Sequence, residues 1–218
     1  MTPAPGTEMV VVTSVEREAA PFRSRGIPVV VAGVGRVNAA VATAVALGSR
    51  PMPGMVVNAG IAGALPVVGG EPLPNGTVVV GTRSIYMEEG LLSDDGFVPM
   101  ADLGFPLATF AEGNAIPADP RTLELVRERL PDARFGPIAT VATCSGTDAL
   151  AEAVVERTAA IAEAMEGAAV LHAARLLGVA PIEIRVVSNR CGRRDRQDWD
   201  LERAFAGLDE VAAALSST

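Results

Sequence analysis

The fold is decided by the stretch MVVVTSVEREAAPFRSRGIPVVVAGVGRVNAAVATAVAL, residues 9–47. Two short runs rich in valine alternate there with two longer segments rich in alanine, glutamate and arginine. Short apolar runs of this kind are typical of strands buried on both faces, and the longer segments are typical of helices. This strand–helix order predicts an α/β protein in which helices cover a sheet.

The same alternation continues along the rest of the chain. The predicted strands are Met9–Thr13, Pro28–Ala32, Met55–Asn58, Thr77–Thr82, Ile138–Ala142, Ile161–Met165 and Ile182–Ser188. The predicted helices are Arg17–Arg23, Arg36–Leu47, Pro120–Leu130, Asp148–Thr158, Gly167–Leu177 and Leu201–Leu215. Together they predict one three-layer α/β/α domain over residues 1–218, with a flexible start at residues 1–8. Residues 86–117, rich in Gly, Pro and Asp, are expected to form a hairpin or a covering loop.

The composition excludes several kinds of chemistry. All 18 basic side chains are arginines, so there is no lysine for a Schiff base or for a lysine-dependent phosphate loop. One histidine (His172) and two cysteines (Cys144 and Cys191) are too few for the usual zinc sites or a disulfide framework. A Cys–His nucleophilic pair is allowed by count, but nothing else in the sequence supports one. We therefore expect neither a metal nor a cofactor.

Charge and hydropathy bear on partners and location. A net charge of −8 repels phosphate backbones, so nucleic acid is not an expected partner. No apolar run approaches the ~20 residues of a membrane span, and the start lacks the pattern of a signal peptide. A cytoplasmic protein without a membrane partner is the expectation.

Candidate binding residues follow the predicted strands, because ligands of open α/β sheets bind beyond the carboxyl ends of the strands. Gly33-Val34-Gly35 either holds an anion on free helix N–H groups or forms a tight turn. It is not a dinucleotide fingerprint, because Asn38 stands where that pattern has its third glycine. The segment Asn58–Gly63 is likewise either a turn or a surface that another group approaches closely.

Two glutamates are candidates for catalysis or binding. Glu18 opens the first helix, where it either belongs to a charged first turn or acts as a base that orients water. Glu166 lies between an apolar strand and a helix of small residues, so it is expected to be partly buried and to need partners. A sugar diol would supply two donors, and a helix-capping role fits the position equally well.

The stretch IRVVSN, residues 184–189, carries the strongest signal. Arg185 lies inside an apolar strand and must be paired, and a carboxylate such as that of Glu18 is the expected partner. Asn189 ends the strand with one acceptor and two donors. Residues 190–199, here named the arginine loop, hold four arginines and form either a solvated loop or, as we favour, an anion site. His172 is expected in the core or in an interface.

Taken together, these segments resemble the purine nucleoside phosphorylase/nucleosidase superfamily. The matching pieces are TSVEREAAPF (13–22), GVGRVNAA (33–40), NAGIAGAL (58–65), MEGAAV (165–170) and IRVVSN (184–189). The stretch SNRCGRRDRQDWDL, residues 188–201, is similar to that of futalosine hydrolases, a family within this superfamily. The resemblance implies a central mixed sheet and hydrolysis of the N-glycosidic bond of futalosine in menaquinone biosynthesis, which releases hypoxanthine and dehypoxanthine futalosine.

The resemblance also implies a role for each matching residue. Glu18 matches the glutamate that holds and deprotonates the attacking water, and Arg185 matches the arginine beside that water. Glu166, with Met165 behind it, matches the glutamate that binds the ribose hydroxyls, and Asn189 occupies the position that addresses the purine. The remaining residues expected to line the nucleoside site are Gly60, Ile61, Thr143, Ser145 and Gly146.

Two positions depart from the related adenine-cleaving nucleosidases. Asn189 replaces an aspartate, and an amide N–H that donates to a carbonyl oxygen favours a 6-oxopurine such as hypoxanthine. Ile61 replaces a serine that helps to hold the water, so Glu18 and Arg185 hold it with less help or backbone groups substitute. Phosphorylases of the superfamily place arginine and threonine near this position. Without such cations a phosphate would face Glu18 unscreened, so water is the expected nucleophile.

The resemblance finally suggests how the rest of the substrate is bound. Arg193, Arg194 and Arg196 are expected to meet the benzoate of futalosine, beneath the loop around Phe97 or Phe105. A homodimer or larger homo-oligomer is expected, because members usually complete the pocket across an interface. The alternatives are a methylthioadenosine/S-adenosylhomocysteine-type nucleosidase, a purine nucleoside phosphorylase, and a nucleoside-binding protein without activity.

Overall fold

The described part of the chain contains ten strands, six α-helices and one short 3-10 helix at Arg194–Arg196. The computed structural model describes residues 9–48, 52–67 and 69–216, so the predicted flexible start at residues 1–8 lies outside the described residues. The strands are β1 (Met9–Thr13), β2 (Val29–Val31), β3 (Met55–Ala64), β4 (Val78–Tyr86), β5 (Gly90–Ser93), β6 (Gly96–Pro99), β7 (Ala115–Pro117), β8 (Arg134–Thr140), β9 (Ala162–Ala164) and β10 (Ala180–Arg190). The helices are α1 (Glu16–Arg23), α2 (Arg36–Gly48), α3 (Pro120–Arg129), α4 (Asp148–Thr158), α5 (Gly167–Leu176) and α6 (Leu201–Ser216).

Eight of the strands form one mixed sheet. Its order is β10-β4-β8-β9-β3-β1-β2, and β7 pairs with β4. The pairs β1–β2, β1–β3, β3–β10, β4–β8 and β8–β9 are parallel, whereas β4 and β10, β3 and β9, and β4 and β7 run antiparallel. Because β10 pairs with both β4 and β3, five strands close into a ring, and β1 and β2 extend from it. The predicted central mixed sheet is confirmed.

Helices cover both faces of this sheet. Successive side chains of a strand point to opposite faces, and Val56 and Val57 of β3 accordingly join two different core clusters. Val57 packs with Phe22 of α1 and Leu208 of α6, whereas Val56 packs with residues of α2 and α5 such as Leu171. This arrangement is the predicted three-layer α/β/α architecture. No helix among the described residues is long and apolar enough to cross a membrane.

Most predicted elements are found within a few residues of their expected bounds, but β3 is longer than predicted. The segment Asn58–Gly63 was expected to follow that strand, and instead it lies inside β3, which runs to Ala64. Its small residues allow β3 to pair with β10 over almost the full length of both strands. The glycines therefore mark close packing between strands and not a turn. Residues 86–117 contain the expected hairpin, formed by β5 and β6.

The pairing of β10 with β3 contains one irregularity. Val187 pairs with Ala62, but the next partner of β3, Gly63, pairs with Asn189. Ser188 is therefore the extra residue of a β-bulge, and its hydroxyl contacts the Ala62 carbonyl at 3.2 Å. The bulge lies where β10 enters the cavity described next.

Candidate active site

A cavity of about 440 Å³ opens at the carboxyl ends of the strands, where the sequence places the candidate residues. The volume lies within the range usual for sites that bind small molecules. Of the residues predicted from the sequence, nine line it: Glu18, Ile61, Ser145, Gly146, Met165, Glu166, Arg185, Asn189 and Arg194. The other four, Gly60, Thr143, Arg193 and Arg196, are not part of its wall.

Glu18 is fixed at the start of α1. Its carboxylate accepts hydrogen bonds from the backbone N–H groups of Ser14 at 2.9 Å, Val15 at 3.2 Å and Ile61 at 3.0 Å. The residue is only 3% exposed, yet it lines the cavity. The carboxylate thus belongs both to the first turn of its helix and to the cavity wall. At Ile61, the position expected to give less help in holding the water, it is the backbone N–H that contacts the Glu18 carboxylate.

Arg185 is fully buried in β10 and is paired, but not with the partner that the sequence suggested. Its Nε donates to Glu183 at 2.8 Å, and its Nη2 lies 3.3 Å from a carboxylate oxygen of Glu166. Nη2 also donates to the side-chain oxygen of Asn58. Glu18 makes three backbone hydrogen bonds instead and adds only a longer-range attraction. The expected pairing of Arg185 with Glu18 is therefore corrected to a pairing with Glu183 and Glu166.

Glu183 is a residue that the sequence interpretation missed. It is fully buried beside Arg185 on the same face of β10, and it accepts a hydrogen bond from the Ser84 hydroxyl. Burial raises the pKa of Glu183, against the opposing effects of Arg185 and Ser84. Burial alone would lower the pKa of Arg185, but the surrounding carboxylates raise it, so the guanidinium is cationic. The two-residue spacing of Glu183 and Arg185 in a strand was the available signal, because it places both on one face.

Glu166 links three parts of the site. Beside its contact with Arg185, it accepts a hydrogen bond from the backbone N–H of Gly35 at 3.0 Å. Gly33-Val34-Gly35 therefore holds an anion as one interpretation suggested, but the anion is a carboxylate of the chain itself. Gly35 has φ +95°, a conformation that favours glycine. Glu166 is 5% exposed and lines the cavity.

Gly60 lies behind the cavity wall, between the two central charged groups. A methyl group at this position would lie 2.5 Å from Nη1 of Arg185 and 2.7 Å from Oε1 of Glu18. Only glycine leaves room for both side chains. We name Glu18, Arg185 and Glu166 the carboxylate end of the cavity, since they bring two carboxylates and one guanidinium together.

Asn189 lines the cavity four residues after Arg185 on β10. Its side-chain oxygen accepts from the Ser188 hydroxyl at 2.9 Å, and its Nδ2 donates to the Arg190 carbonyl at 2.9 Å. These two contacts fix the amide so that one N–H of Nδ2 is left for a ligand. Cys144, Ser145 and Gly146 line the cavity nearby, whereas Thr143 of the same predicted loop does not.

The arginine loop contributes less to the cavity than its charge suggested. Arg194 lines the cavity, and its guanidinium donates to Gln197 at 2.7 Å and lies 5.4 Å from the ring centre of Trp199. Arg193 is exposed and pairs with Asp195 at 2.8 Å, and Arg196 is exposed. The loop around Phe97 and Phe105 does not reach the cavity either. Phe97 lies instead in a separate pocket, and Phe105 is exposed.

Gln197, Trp199 and Glu163 also line the cavity and were not predicted. Gln197 donates to the carbonyls of Ser145 and Gly192, and it ties the arginine loop to the loop after β8. Nothing in the sequence distinguished Gln197 or Trp199 from the other polar and aromatic residues of a loop. Glu163 could have been identified from the sequence, because it is a charged residue inside an otherwise apolar strand. Glu166, which directly follows the same predicted strand, was identified by similar reasoning.

The thiols and the histidine do not form a nucleophilic pair. Burial, with the negative charges of Glu163 and Glu166, raises the pKa of Cys144, and burial with Glu163 raises that of Cys191. His172 lies outside this cavity, against Tyr86 and Phe110, and burial lowers its pKa. Protonated thiols distant from an imidazole are poor nucleophiles.

Comparison with known proteins agrees with this architecture. The family model described as the phosphorylase superfamily matches residues 22–217. The chain belongs to the phosphorylase superfamily. This confirms the resemblance drawn from the five sequence segments.

Three curated proteins similar to this chain are futalosine hydrolases. The chain is 43% identical to the futalosine hydrolase of Acidothermus cellulolyticus over 75% of its own length, a match that spans 64% of that protein. It is 36% identical to the futalosine hydrolase of Streptomyces coelicolor, with 98% of this chain and 87% of that protein covered. The 5'-methylthioadenosine/S-adenosylhomocysteine nucleosidase of Neisseria meningitidis, solved with methylthio-immucillin-A, has the same fold with a TM-score of 0.77 at 20% identity, covering 97% of this chain and 99% of that one.

Proposed function

We propose that this chain hydrolyses the N-glycosidic bond of futalosine and releases hypoxanthine, as a step of menaquinone biosynthesis. The single observation that carries the proposal is the carboxylate end of the cavity, where two carboxylates surround one guanidinium that is already paired. The names of the curated relatives support futalosine as the substrate.

The ribose is assigned to Glu166. As the glycosidic bond stretches, positive charge grows on the sugar, and a carboxylate close to it stabilises that charge. Glu166 is held by the Gly35 N–H and by Arg185, so it needs no rearrangement to act. Its oxygens also accept hydrogen bonds from a sugar diol.

The attacking water is assigned to Glu18. Three backbone N–H groups fix this carboxylate, and a water that donates to it is oriented toward the sugar. Glu18 then accepts the proton of that water as the new C–O bond forms. Gly60 lets the guanidinium of Arg185 approach the same point, where the guanidinium and the Glu18 carboxylate attract each other.

The leaving purine is assigned to Asn189. Negative charge grows on the purine while the bond breaks, and the free N–H of Nδ2 donates to it. An amide N–H also matches the carbonyl oxygen of a 6-oxopurine, whereas an exocyclic amine needs an acceptor. This preference supports hypoxanthine over adenine as the released base.

Water is favoured over phosphate as the nucleophile by the charges of the site. Among the described residues that line the carboxylate end, Arg185 is the only cation, and Glu183 and Glu166 already neutralise it. A phosphate placed there would face Glu18 without a free cation to screen it. The proposal is therefore a hydrolase and not a phosphorylase.

The tail of futalosine is assigned to Arg194. It is the arginine of the predicted trio that lines the cavity, and Trp199 beside it is 49% exposed and offers an aromatic surface. A guanidinium next to an aromatic ring suits a benzoate, which combines a carboxylate with a flat apolar ring.

We also propose that the chain forms a homo-oligomer through α2. Val37, Val41 and Val45 follow each other at four-residue spacing, and they are 77%, 58% and 70% exposed. Val34, which is 53% exposed, lines the cavity at the start of this stripe, so a second copy packed there would cover the cavity mouth. Light scattering should give at least a dimer mass, and Val41→Glu should lower it; a monomeric unmodified chain would contradict this.

The function is tested by purine release from futalosine, inosine and methylthioadenosine, each with and without phosphate, followed by chromatography. Hypoxanthine released from futalosine at a rate independent of phosphate is the expected result. Release of adenine from methylthioadenosine would favour the methylthioadenosine/S-adenosylhomocysteine-type nucleosidase, and dependence on phosphate would favour the phosphorylase. Tight binding of all three without turnover would favour a nucleoside-binding protein.

A further inference from the structure

Glu163 is a buried carboxylate in the cavity wall to which no step above assigns a task. It lies in β9, is 6% exposed, and lines the cavity. None of the ion pairs among the described residues involves it. A buried carboxylate without a cation is costly unless donors satisfy it, so the donors around Glu163 need to be identified.

The protein supplies Glu163 with neutral donors only. The Ser145 N–H donates to one carboxylate oxygen at 2.8 Å, and the Ser145 hydroxyl donates to the other at 2.6 Å. The Cys191 thiol also lies within hydrogen-bonding distance, and the charge of Glu163 helps to keep that thiol protonated. These contacts fix the orientation of the carboxylate, and each oxygen keeps acceptor capacity for a further donor.

Glu163 and Asn189 flank one point of the cavity wall. A methyl group on Gly63 would lie 2.6 Å from Sγ of Cys191, 3.3 Å from Nδ2 of Asn189 and 3.7 Å from Cγ of Glu163, so the Cys191 thiol packs over Gly63 beside these two side chains. Glu163 and Asn189 both line the cavity next to Gly63, so a flat ring bound in the cavity can meet both side chains. The pair then presents an N–H donor on one side and a carboxylate acceptor on the other.

We infer that Glu163 is a specificity-determining residue that accepts a hydrogen bond from the N1–H group of a 6-oxopurine. The inference rests on the proposed function. Hypoxanthine has an acceptor at O6 and a donor at N1, which is the complement of an amide donor beside a carboxylate. Adenine has a lone pair at N1, and it would face the carboxylate as one acceptor faces another. Glu163 therefore adds to the discrimination that Asn189 provides.

The test pairs one substitution with one change in the substrate. Futalosine and its N1-methyl derivative differ in the N1 donor, and Glu163→Gln replaces an acceptor oxygen with an amide. The unmodified chain should prefer futalosine over N1-methylfutalosine by at least about 100-fold in kcat/KM, because a site built for an N–H donor rejects an analogue without it. Glu163→Gln should lower kcat/KM for futalosine about 10- to 100-fold and shrink the preference by at least about tenfold.

The matched control is Glu152→Gln, which removes the same charge from an exposed position of α4. It should leave both rates and their ratio unchanged. If Glu163→Gln lowers the two rates equally, or leaves both unchanged, the preference ratio stays constant and the inference is overturned. If the unmodified chain releases no hypoxanthine from futalosine, the proposed function itself fails. If it releases hypoxanthine but the preference ratio is the same in Glu163→Gln, only the inference fails, so the two failures can be distinguished.

A second measurement does not depend on folding of the variant. Calorimetry of the unmodified chain with hypoxanthine and with 1-methylhypoxanthine compares the same N1 donor without turnover. At least about tenfold tighter binding of hypoxanthine is expected, since the hydrogen bond involves a charged acceptor. Equal affinities for the two bases would overturn the inference even if Glu163→Gln cannot be purified.

Discussion

The carboxylate end of the cavity and the arginine loop both carry charge, but they differ in how that charge is held. Glu18, Arg185 and Glu166 are 3%, 1% and 5% exposed, and each is fixed by backbone or side-chain partners. Arg193, Arg194 and Arg196 are exposed, and the side chain of Arg194 contacts Gln197 and Trp199 of its own loop. Preorganised charge stabilises a transition state, whereas exposed charge mainly tunes affinity. The first region should therefore control kcat and stability, and the second should control KM.

The largest effect is expected at Glu18. Glu18→Gln keeps the shape of the side chain but removes the base, so kcat for futalosine should fall about 1,000-fold, within the range usual for a lost general base. Steady-state kinetics with chromatographic detection of hypoxanthine measures this change. Glu16→Gln, on the same helix turn but exposed, is the control and should stay within about twofold of the unmodified chain. A kcat for Glu18→Gln within tenfold of normal would contradict the assignment.

The next effect concerns Glu183, which touches Arg185 but does not line the cavity. Breaking a buried pair leaves a charge without its partner, so Glu183→Gln should lower the free energy of unfolding by about 3 kcal/mol. It should also lower kcat more than it changes KM, because Arg185 loses the contact that positions it. Urea unfolding and kinetics measure the two effects.

Glu210→Gln, exposed on α6, is the control for Glu183 and should change neither quantity. If Glu183→Gln destabilises the chain while kcat stays normal, Glu183 only supports the fold. The carboxylate end would then depend on Glu166 and Asn58 alone to place Arg185.

The charged and polar residues of the site also show which features could be predicted from the sequence. Glu18, Glu166, Arg185 and Asn189 could be identified because a charged or polar residue beside an apolar strand needs a reason to be there. The hydrogen-bond and ion-pair partners of these residues could not be predicted in the same way. Glu18 is the predicted partner of Arg185 because a buried arginine needs a carboxylate, yet the backbone N–H groups of three residues bind the Glu18 carboxylate instead.

The layers and most strands of the fold could be predicted because apolar periodicity reports burial directly. The length of β3 could not be, because Gly60 and Gly63 indicate a turn as readily as a close contact between strands. The closure of five strands into a ring depends on pairing between β3 and β10, which are far apart in the chain. Local patterns carry no information about such a contact.

A smaller effect is expected in the arginine loop. Arg194→Ala should raise KM for futalosine about tenfold and KM for inosine less than about twofold, because inosine lacks the tail carboxylate. Arg196→Ala removes the same charge outside the cavity wall and should change neither value. Equal increases in KM for both substrates would mean that Arg194 contacts the nucleoside and not the tail.

The smallest effect is expected at Cys144, which lines the cavity beside Ser145. Because its pKa is raised, the reactive thiolate is scarcer at pH 7 than in a free peptide. Alkylation by iodoacetamide should be several-fold slower than for a model thiol and should accelerate as the pH rises. Hypoxanthine should slow it further by occupying the cavity.

Mass spectrometry of the alkylated chain locates the modified residue, and Cys144→Ser serves as the control that should lose the modification. Fast alkylation at pH 7 that hypoxanthine does not affect would place Cys144 outside the base site. It would also weaken the assignment of this side of the cavity to the purine.

The bulge at Ser188 divides β10 into two parts that pair with β3 in different registers. In a regular strand successive side chains alternate between the two faces without interruption, so Arg185 and Asn189 would keep the same pairing register with the neighbouring strand. Between Arg185 and Asn189, the extra residue shifts the register of β10 relative to β3 by one residue. One strand can thus supply a guanidinium to the chemistry and an amide to the base, with each set by its own register. Substitutions of residue 189 that change the base preference therefore need not move Arg185, as long as the strand keeps its extra residue.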